Sequence, residues 1–471
     1  MSSTSFHISP LYNVLLIRYG EIALKSQQVK KRLLRNLLRN IKFQCTRDKV
    51  KFSRIWRDHG FVYLHPEPDH MKRAIQTLQK VLGVHSISPA IFAQGDLAEI
   101  QQTALDLARD VLKEGNTFGV RARRIGQHSF SSNEIAKSTG SQILEDLGES
   151  LKLSVNLSKP DAWIHINVRD KNIFVYAESI QAPWQGNPIE SFTAGGVLHI
   201  NGHVSEFVSA MLAMRRGTFI LPLLITEDQS KDEMIHDILS RFKEFLPIRS
   251  FYYFKLNVCK FYSKISNIAE KHNYPPLEYL MKRKLQILLG TWIVNYHKPL
   301  FELLESQQRI DWNSNIASYL SNKQQKSKRM GPRRKFVDYI TLIEGNHPFS
   351  YYSPKLPLMQ HIESSSIPIL RAAIGFDSKK IKEKFCNIYA NFTDYAENLT
   401  DPPEMSMSSN QTKNMYPFNP FDRDTVPDTI LENFEAFWNS IEQELEALLK
   451  DIGLLGDPTL RSTEILELVQ I

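Results

Sequence analysis

The stretch Thr193–Gly217, TAGGVLHINGHVSEFVSAMLAMRRG, constrains this chain more than any other. It reads as a strand from Val197 to Ile200, a tight turn at Asn201, Gly202 and His203, and a helix from Ser205 to Arg216. A strand–glycine turn–helix unit is where α/β proteins hold phosphates, because backbone N–H groups and the helix N-terminus converge on an anion. Here the turn has a single glycine where a phosphate loop wants two, and an acid, Glu206, stands in the first helical turn. A carboxylate there complements the helix dipole, so Glu206 reads as a capping acid, and its charge repels a pyrophosphate. His203 and Glu206 also form a histidine–carboxylate pair of the kind used in general-base chemistry. Without a third convergent group the pair reads as structural. The frame of a nucleotide site is present and its chemistry is missing.

At 471 residues the chain should hold two to four domains, since single cores rarely grow past ~250–300 residues. A content of 42% hydrophobic and 23% charged residues is that of an ordinary globular protein. No apolar run is long enough to span a bilayer, and the opening MSSTSFHISP lacks a basic-then-apolar leader. The expectation is a cytoplasmic protein with no membrane partner. Cys45, Cys259 and Cys386 lie far apart with no C-x-x-C pair, which excludes a disulfide scaffold and argues against a cysteine-built zinc site. No metal is expected. The net charge of +7 suits a polyanionic partner, but its distribution says more.

Residues 1–90 open with an apolar strand, Tyr12–Ile17, and a helix carrying Val29, Leu33, Leu37 and Ile41 at four-residue steps. Its other positions include Lys30, Lys31, Arg32, Arg35, Arg39 and Lys42, a one-signed face with no interleaved acid. With Lys25 just before it, that face is read as phosphate-binding. Later signals at Phe61–Leu64, Met71–Leu82 and Val84–Ser88 give the order β-α-β-β-α-β, the ferredoxin-like pattern.

Residues 91–182 read as a second small α/β unit. A helix covers Leu97–Leu112, and the strand Thr117–Arg124 turns Phe118, Val120 and Ala122 one way and Arg121 and Arg123 the other. Ser131-Ser-Asn-Glu134 fits a capping box at the next helix. Arg124, His128 and Ser131 then stand near that helix N-terminus, where guanidinium groups and N–H donors can meet one phosphate. A hairpin, Trp163–Val168 and Ile173–Glu178, ends the unit.

Residues 183–192 are rich in Pro, Gly and Asn and read as a linker. The third domain, 190–405, alternates strands and helices (strands at 219–225 and 251–258, helices at 232–245 and 277–296), which argues for a doubly wound sheet. Residues 303–355, with the basic run Lys323–Arg329 and Arg333–Lys335, read as a surface insertion. The segment 428–471 reads as a helical tail over Thr429–Lys450, packed on the third domain or on a partner chain, which leaves a dimer open.

Three stretches together resemble the tRNA 4-thiouridine sulfurtransferase family. Ile17-Arg-Tyr-Gly-Glu-Ile-Ala-Leu-Lys-Ser26 is similar to the opening of its N-terminal ferredoxin-like domain. Phe118–Ser132, FGVRARRIGQHSFSS, with Lys159-Pro-Asp161 downstream, looks like a THUMP domain, an RNA-binding module. Ile369-Leu-Arg-Ala-Ala-Ile-Gly-Phe-Asp377 is similar to the family's V-L-R-P-L-I-G-M-D. The resemblance implies a multidomain α/β and α+β protein: a ferredoxin-like domain, a THUMP α/β domain and a doubly wound Rossmann-like domain of the PP-loop type. It implies that the first two domains hold the tRNA acceptor end. The third, in the family, adenylates a uridine with ATP and replaces its oxygen with sulfur.

The departures from the family all fall on that chemistry. Its loop S-G-G-x-D-S is Asn201-Gly-His-Val-Ser-Glu206 here, so a glycine becomes His203, the acid becomes Ser205 and the last serine becomes Glu206. Its sulfur-carrying cysteine falls near Thr400-Asp-Pro-Pro-Glu404, and Cys386 lies too early to replace it. The expectation is therefore a tRNA-binding, catalytically degenerate relative acting as a subunit or adaptor, beside an intact homologue or another tRNA-modifying enzyme. The RNA residues would be Arg121, Arg123, Arg124, His128 and Ser131, supported by Lys25, Lys30, Lys31, Arg35 and Arg39, with no cofactor. The alternatives are an active sulfurtransferase that uses ATP and external sulfur, and an adaptor for another THUMP-associated modification.

Overall fold

The computed structural model describes residues 8–58, 60–191, 194–226, 232–248, 251–271, 278, 281–295, 338–344, 369–370, 443, 446–447 and 466–471. The chain divides into two compact units that meet at residues 191 and 192.

The first unit opens with β1 (Val14–Tyr19), α1 (Gln27–Arg47), β2 (Phe52–Asp58), β3 (Phe61–Pro66), α2 (Met71–Gln79) and β4 (Val84–Gln94). The strands run in the order β2-β3-β1-β4, as the ferredoxin-like pattern requires. Helix α1 buries Leu33, Leu37 and Ile41, the four-residue stripe read from the sequence, together with Leu34 and Cys45. Next come α3 (Leu97–Val111), β5 (Thr117–Ile125), α4 (Ser132–Leu147), β6 (Ser154–Val155), β7 (Ala162–Arg169), β8 (Asn172–Tyr176) and β9 (Ile180–Gln181). Asp96 caps α3 through Ala98 N and Glu99 N, and Ser131 and Glu134 close the capping box of α4.

One sheet carries both halves. The strand read as ending at Ser88 runs on to Gln94, so that β4 is 11 residues long. Its first part pairs with β1 (Val14 opposite Ala90), and its second with β8 (Ile91 opposite Val175). Pro89, still opposite Leu15 of β1, stands two residues before the change of neighbour at Ile91, and a proline inside a strand reads from sequence as its end. The result is a nine-stranded sheet over a shared core that runs from Tyr12 to Ala182. The segment read as a linker is packed on this unit. Trp184 and Ile189 are buried, Gly83 N donates to Gln185 O at 2.8 Å, and Asn36 and Arg39 of α1 hold Glu190. Trp184 and Ile189 supply apolar area that a solvated linker lacks.

The second unit holds β10 (Ala194–Ile200), α5 (Val204–Arg215), β11 (Ile220–Thr226), α6 (Asp232–Phe245), β12 (Tyr252–Asn257), α7 (Cys259–Lys271), a helix α8 (281–295), β13 (Asp338–Ile343), β14 (Ile369–Leu370) and β15 (Leu466–Gln470). The sheet order β14-β13-β10-β11-β12-β15 is parallel except for β15, which is the doubly wound arrangement with an antiparallel edge. Two sequence expectations are corrected here. The span 303–355, read as a surface insertion, contains β13, an inner strand beside β10; its short apolar run, Tyr339–Ile343, was masked by the basic run before it. The segment 428–471, read as a helical tail, ends in β15, whose alternation over Leu466–Gln470 is too short to stand out. Of the tail helix only Gln443, Glu446 and Ala447 are described, and they are helical; the rest of it, the stretch 372–377, Cys386 and residues 400–404 lie outside the described residues.

Candidate nucleic-acid interface and nucleotide loop

A cavity of about 660 Å³ opens in the first unit where β1, β3, β5, β7 and β8 converge with the start of α4. It is lined by Arg18, Arg121, Arg123, Arg124 and Arg169, with Phe61, His165, Asn167, Tyr176 and Ser132 among the rest. No carboxylate stands among its described lining residues. The alternation of β5 builds the wall: Phe118 and Val120 go into the core, and Arg121 and Arg123 stay exposed. The parallel register sets Arg121 beside His165 and Arg123 beside Asn167. The Arg121 guanidinium lies 3.6 Å from the Trp163 ring centroid, which pre-orders it.

Arg18, from the Arg-Tyr-Gly-Glu motif, enters from the ferredoxin-like half. Its Nη2 donates to the Tyr176 hydroxyl at 2.6 Å, and its Nη1 to Ser88 at 3.1 Å and Ser179 at 3.3 Å. Its guanidinium is 5.0 Å from the Phe61 centroid, and that of the buried Arg169 is 4.9 Å away. Asn167 also donates to the Tyr176 hydroxyl. Burial, and then the charges of Arg18, Arg121 and Arg123, push His165 down to about 4, so its ring is neutral near pH 7. It stacks on Tyr176 with centroids 4.9 Å apart. Guanidinium groups beside neutral, stacked rings offer both a phosphate site and a flat surface for a base.

Of the residues expected from sequence, Arg121, Arg123 and Arg124 line this cavity. His128 stands beyond it, its Nε2 3.2 Å from Ile125 O and its ring stacked on Phe130. The Ser131 hydroxyl accepts from Glu134 N at 3.1 Å as the helix cap, and its neighbour Ser132 lines the cavity instead. On α1, Lys31 and Arg35 are exposed, as is Lys25 before it, and Lys30 lies 6.0 Å from the Tyr19 ring centroid. Arg39 is paired with Glu190 and so holds the segment 183–191. Sequence reasoning missed Arg18, Phe61, His165, Arg169 and Tyr176. Arg18 sat inside a quoted motif, but nothing local says that it meets a hairpin more than 150 residues later.

In the second unit the strand, turn and helix at Asn201–His203 form as read, and Gly202 takes φ +96°, which glycine tolerates best. The N–H of Asn201 donates to both oxygens of Glu206 at 2.9 Å, and those of Gly202 and His203 donate to its Oε2 at 3.1 Å. The Asn201 side-chain amide adds a fourth donor at 3.3 Å, and Gln286 of α8 holds that amide's oxygen at 3.1 Å. Glu206 is 3% exposed. Burial pushes its carboxyl up, against the pull of His203 and of the N–H donors. Ser205, which replaces the loop acid, is fully buried.

This loop leaves β10 at the point where the strand order reverses between β10 and β13, the crevice in which doubly wound sheets bind ligands. Glu344, just past β13, meets Arg283 of α8 there in a two-pronged ion pair at 2.9 and 2.7 Å. His199 Nδ1 is 3.5 Å from the same carboxylate, and all three residues are buried. Burial alone would raise Glu344; the Arg283 charge and His199 overcome it and hold the carboxyl well below the usual carboxylate range. Among the described residues no cluster of three metal-ligating side chains occurs, and no helix is long and apolar enough to cross a membrane.

The first unit sets a ferredoxin-like half and a second α/β half on one sheet, with an arginine-lined cavity, and the second unit is a Rossmann-like domain. Residues 14–88 match the ThiI ferredoxin-like domain and residues 94–178 the THUMP domain. The first unit thus carries the ferredoxin-like and THUMP domains in the order in which they match. It is 33% identical over 219 residues to a probable tRNA sulfurtransferase of Methanobrevibacter smithii, covering 45% of this chain and 53% of that one. A Methanosarcina acetivorans protein of the same description is 32% identical over 212 residues, covering 45% and 50%. The chain thus spans about half the length of the curated relatives it matches. In fold, it resembles a 4-thiouridine synthetase in complex with RNA and bound ATP, with a TM-score of 0.62 over 98% of this chain and all of the other at 18% identity. A Pyrococcus horikoshii Ot3 structure gives 0.52 over 79% and 97% at 20% identity.

Proposed function

We propose that this chain binds tRNA through its first unit, holding the acceptor end, and that its third domain takes no part in nucleotide chemistry. It then serves tRNA modification as an RNA-holding subunit or adaptor, beside an intact homologue or another tRNA-modifying enzyme, and needs no cofactor of its own. The observation that carries the RNA reading is the cavity walled by five arginines with no carboxylate among its described lining residues. Guanidinium contacts to phosphates supply affinity and register rather than sequence, so selectivity comes from the shape of the RNA and its unpaired end. The non-catalytic reading rests on Asn201–Glu206, where a carboxylate replaces the final serine of the family's loop and lies among the N–H donors. The test is a titration of labelled tRNA with an intact acceptor end against the same tRNA with its unpaired 3′ nucleotides removed. Weaker binding of the trimmed RNA is expected; equal binding would remove the acceptor end from the account.

One observation favours the alternative, an active ATP-dependent tRNA sulfurtransferase fed by external sulfur: the full-length fold likeness to an ATP-bound synthetase. Saturable ATP binding by the wild-type chain would put that reading first. Co-purification with an enzyme of a different modification would instead favour an adaptor outside thiolation.

A further inference from the structure

We propose that Glu206 is a built-in substitute for an external oxyanion: its carboxylate keeps the Asn201–His203 loop permanently occupied and shaped without any ligand. This rests on the reading of the third domain as non-catalytic and supplies a physical reason for it.

Three successive backbone N–H groups at a helix start make a concave donor set that suits one anion. In this loop all three point at a single buried carboxylate, and the Asn201 side chain closes the set. The anion is tethered to α5 only three residues past His203, so a phosphate from solution would compete with an intramolecular ligand. The surroundings match a filled site. Gln286, itself bound to the Tyr262 hydroxyl, fixes the Asn201 amide with its nitrogen toward Glu206. Arg283, three residues before Gln286 on α8, is spent on Glu344. Replacing a loop serine by glutamate therefore does more than add repulsion: the carboxylate makes the contacts that hold the turn, and the domain keeps its form with no nucleotide present.

The experiment is amide hydrogen exchange on the full chain, read on peptides over residues 200–206, with and without sodium tripolyphosphate. In the wild type, the Asn201, Gly202 and His203 amides should be slowed on the order of 100-fold relative to an open loop with no anion added, and tripolyphosphate should change nothing. Glu206→Ala should release them. Should that variant not fold, Glu206→Asp, too short to reach all three donors, should lose part of the protection. Protection that appears only with tripolyphosphate, or that survives in a folded Glu206→Ala chain, would overturn the proposal. Unprotected wild-type amides without ATP binding would overturn it while leaving the non-catalytic reading standing. ATP binding that displaces Glu206 from the amides would overturn both.

Discussion

Arg121→Gln combined with Arg123→Gln removes two of the three exposed guanidinium groups from the cavity and leaves Arg18 and Arg169, which are tied to Tyr176, the serines and Phe61. The size of the effect follows from counterion release. Each phosphate contact contributes about 0.9 to the slope of log affinity against log salt on duplex and about 0.7 on a single strand. Two lost contacts should flatten the slope by roughly 1.4–1.8, so between 50 and 200 mM salt the wild type should lose about 7–12-fold more affinity than the variant. Filter binding of labelled tRNA across that range reads the slope directly. The paired Arg→Lys substitutions, which keep the charge, should retain it, and any loosening from the lost Arg121–Trp163 contact would show in a melting curve. A double-Gln slope within about half a unit of the wild type would refute the placement of RNA phosphates in this cavity.

His165 predicts an acid sensitivity of the first unit. Its ordinary value is 6.5 and its folded value about 4, so on acidification the unfolded chain takes the proton first. Stability is therefore full above about pH 6.5 and is lost as pH falls toward 4; the ceiling of ~3 kcal/mol shrinks to about 1–2 kcal/mol once partial solvent access is allowed for. His165→Gln should flatten that part of a melting-against-pH profile, and an unchanged profile would count against it. Arg283→Ala strands the buried Glu344 carboxylate and should cost the second unit about 3–5 kcal/mol in denaturant unfolding, a loss that removing Glu344 as well should partly reverse. Gly83 takes φ +98°, and a Cβ there would lie 2.9 Å from Pro188 N, so Gly83→Ala should cost about 1–3 kcal/mol and loosen the 183–191 segment toward proteases.

The sequence made some of this legible because the signals are local. The stripe of α1, the alternation of β5, the capping box at Ser131 and the turn at Gly202 each declare themselves within a few residues. What was not legible depends on distant partners. Pro89 lies inside β4 because that strand serves two neighbours in turn, and the central place of β13 depends on β10, more than 130 residues earlier. The cavity shows the same division. Its β5 arginines follow from period-two alternation, while Arg18, His165 and Tyr176 reach it through pairing across β1, β4, β7 and β8. Arg39 looked like part of a free cationic face because its counter-charge, Glu190, comes 151 residues later. Glu206 was read as a cap with charge set against phosphate. That its carboxylate gathers three consecutive backbone donors is a fact of three-dimensional geometry.

The most direct test of the central claim is a tRNA titration of the wild-type chain at two salt concentrations, with and without ATP, followed by calorimetry with ATP alone. Tight, salt-sensitive tRNA binding that ATP leaves unchanged, with no heat from ATP, is the predicted result and sends the search to partner enzymes. A saturable ATP signal would contradict the account of Asn201–Glu206 and put the enzyme reading first.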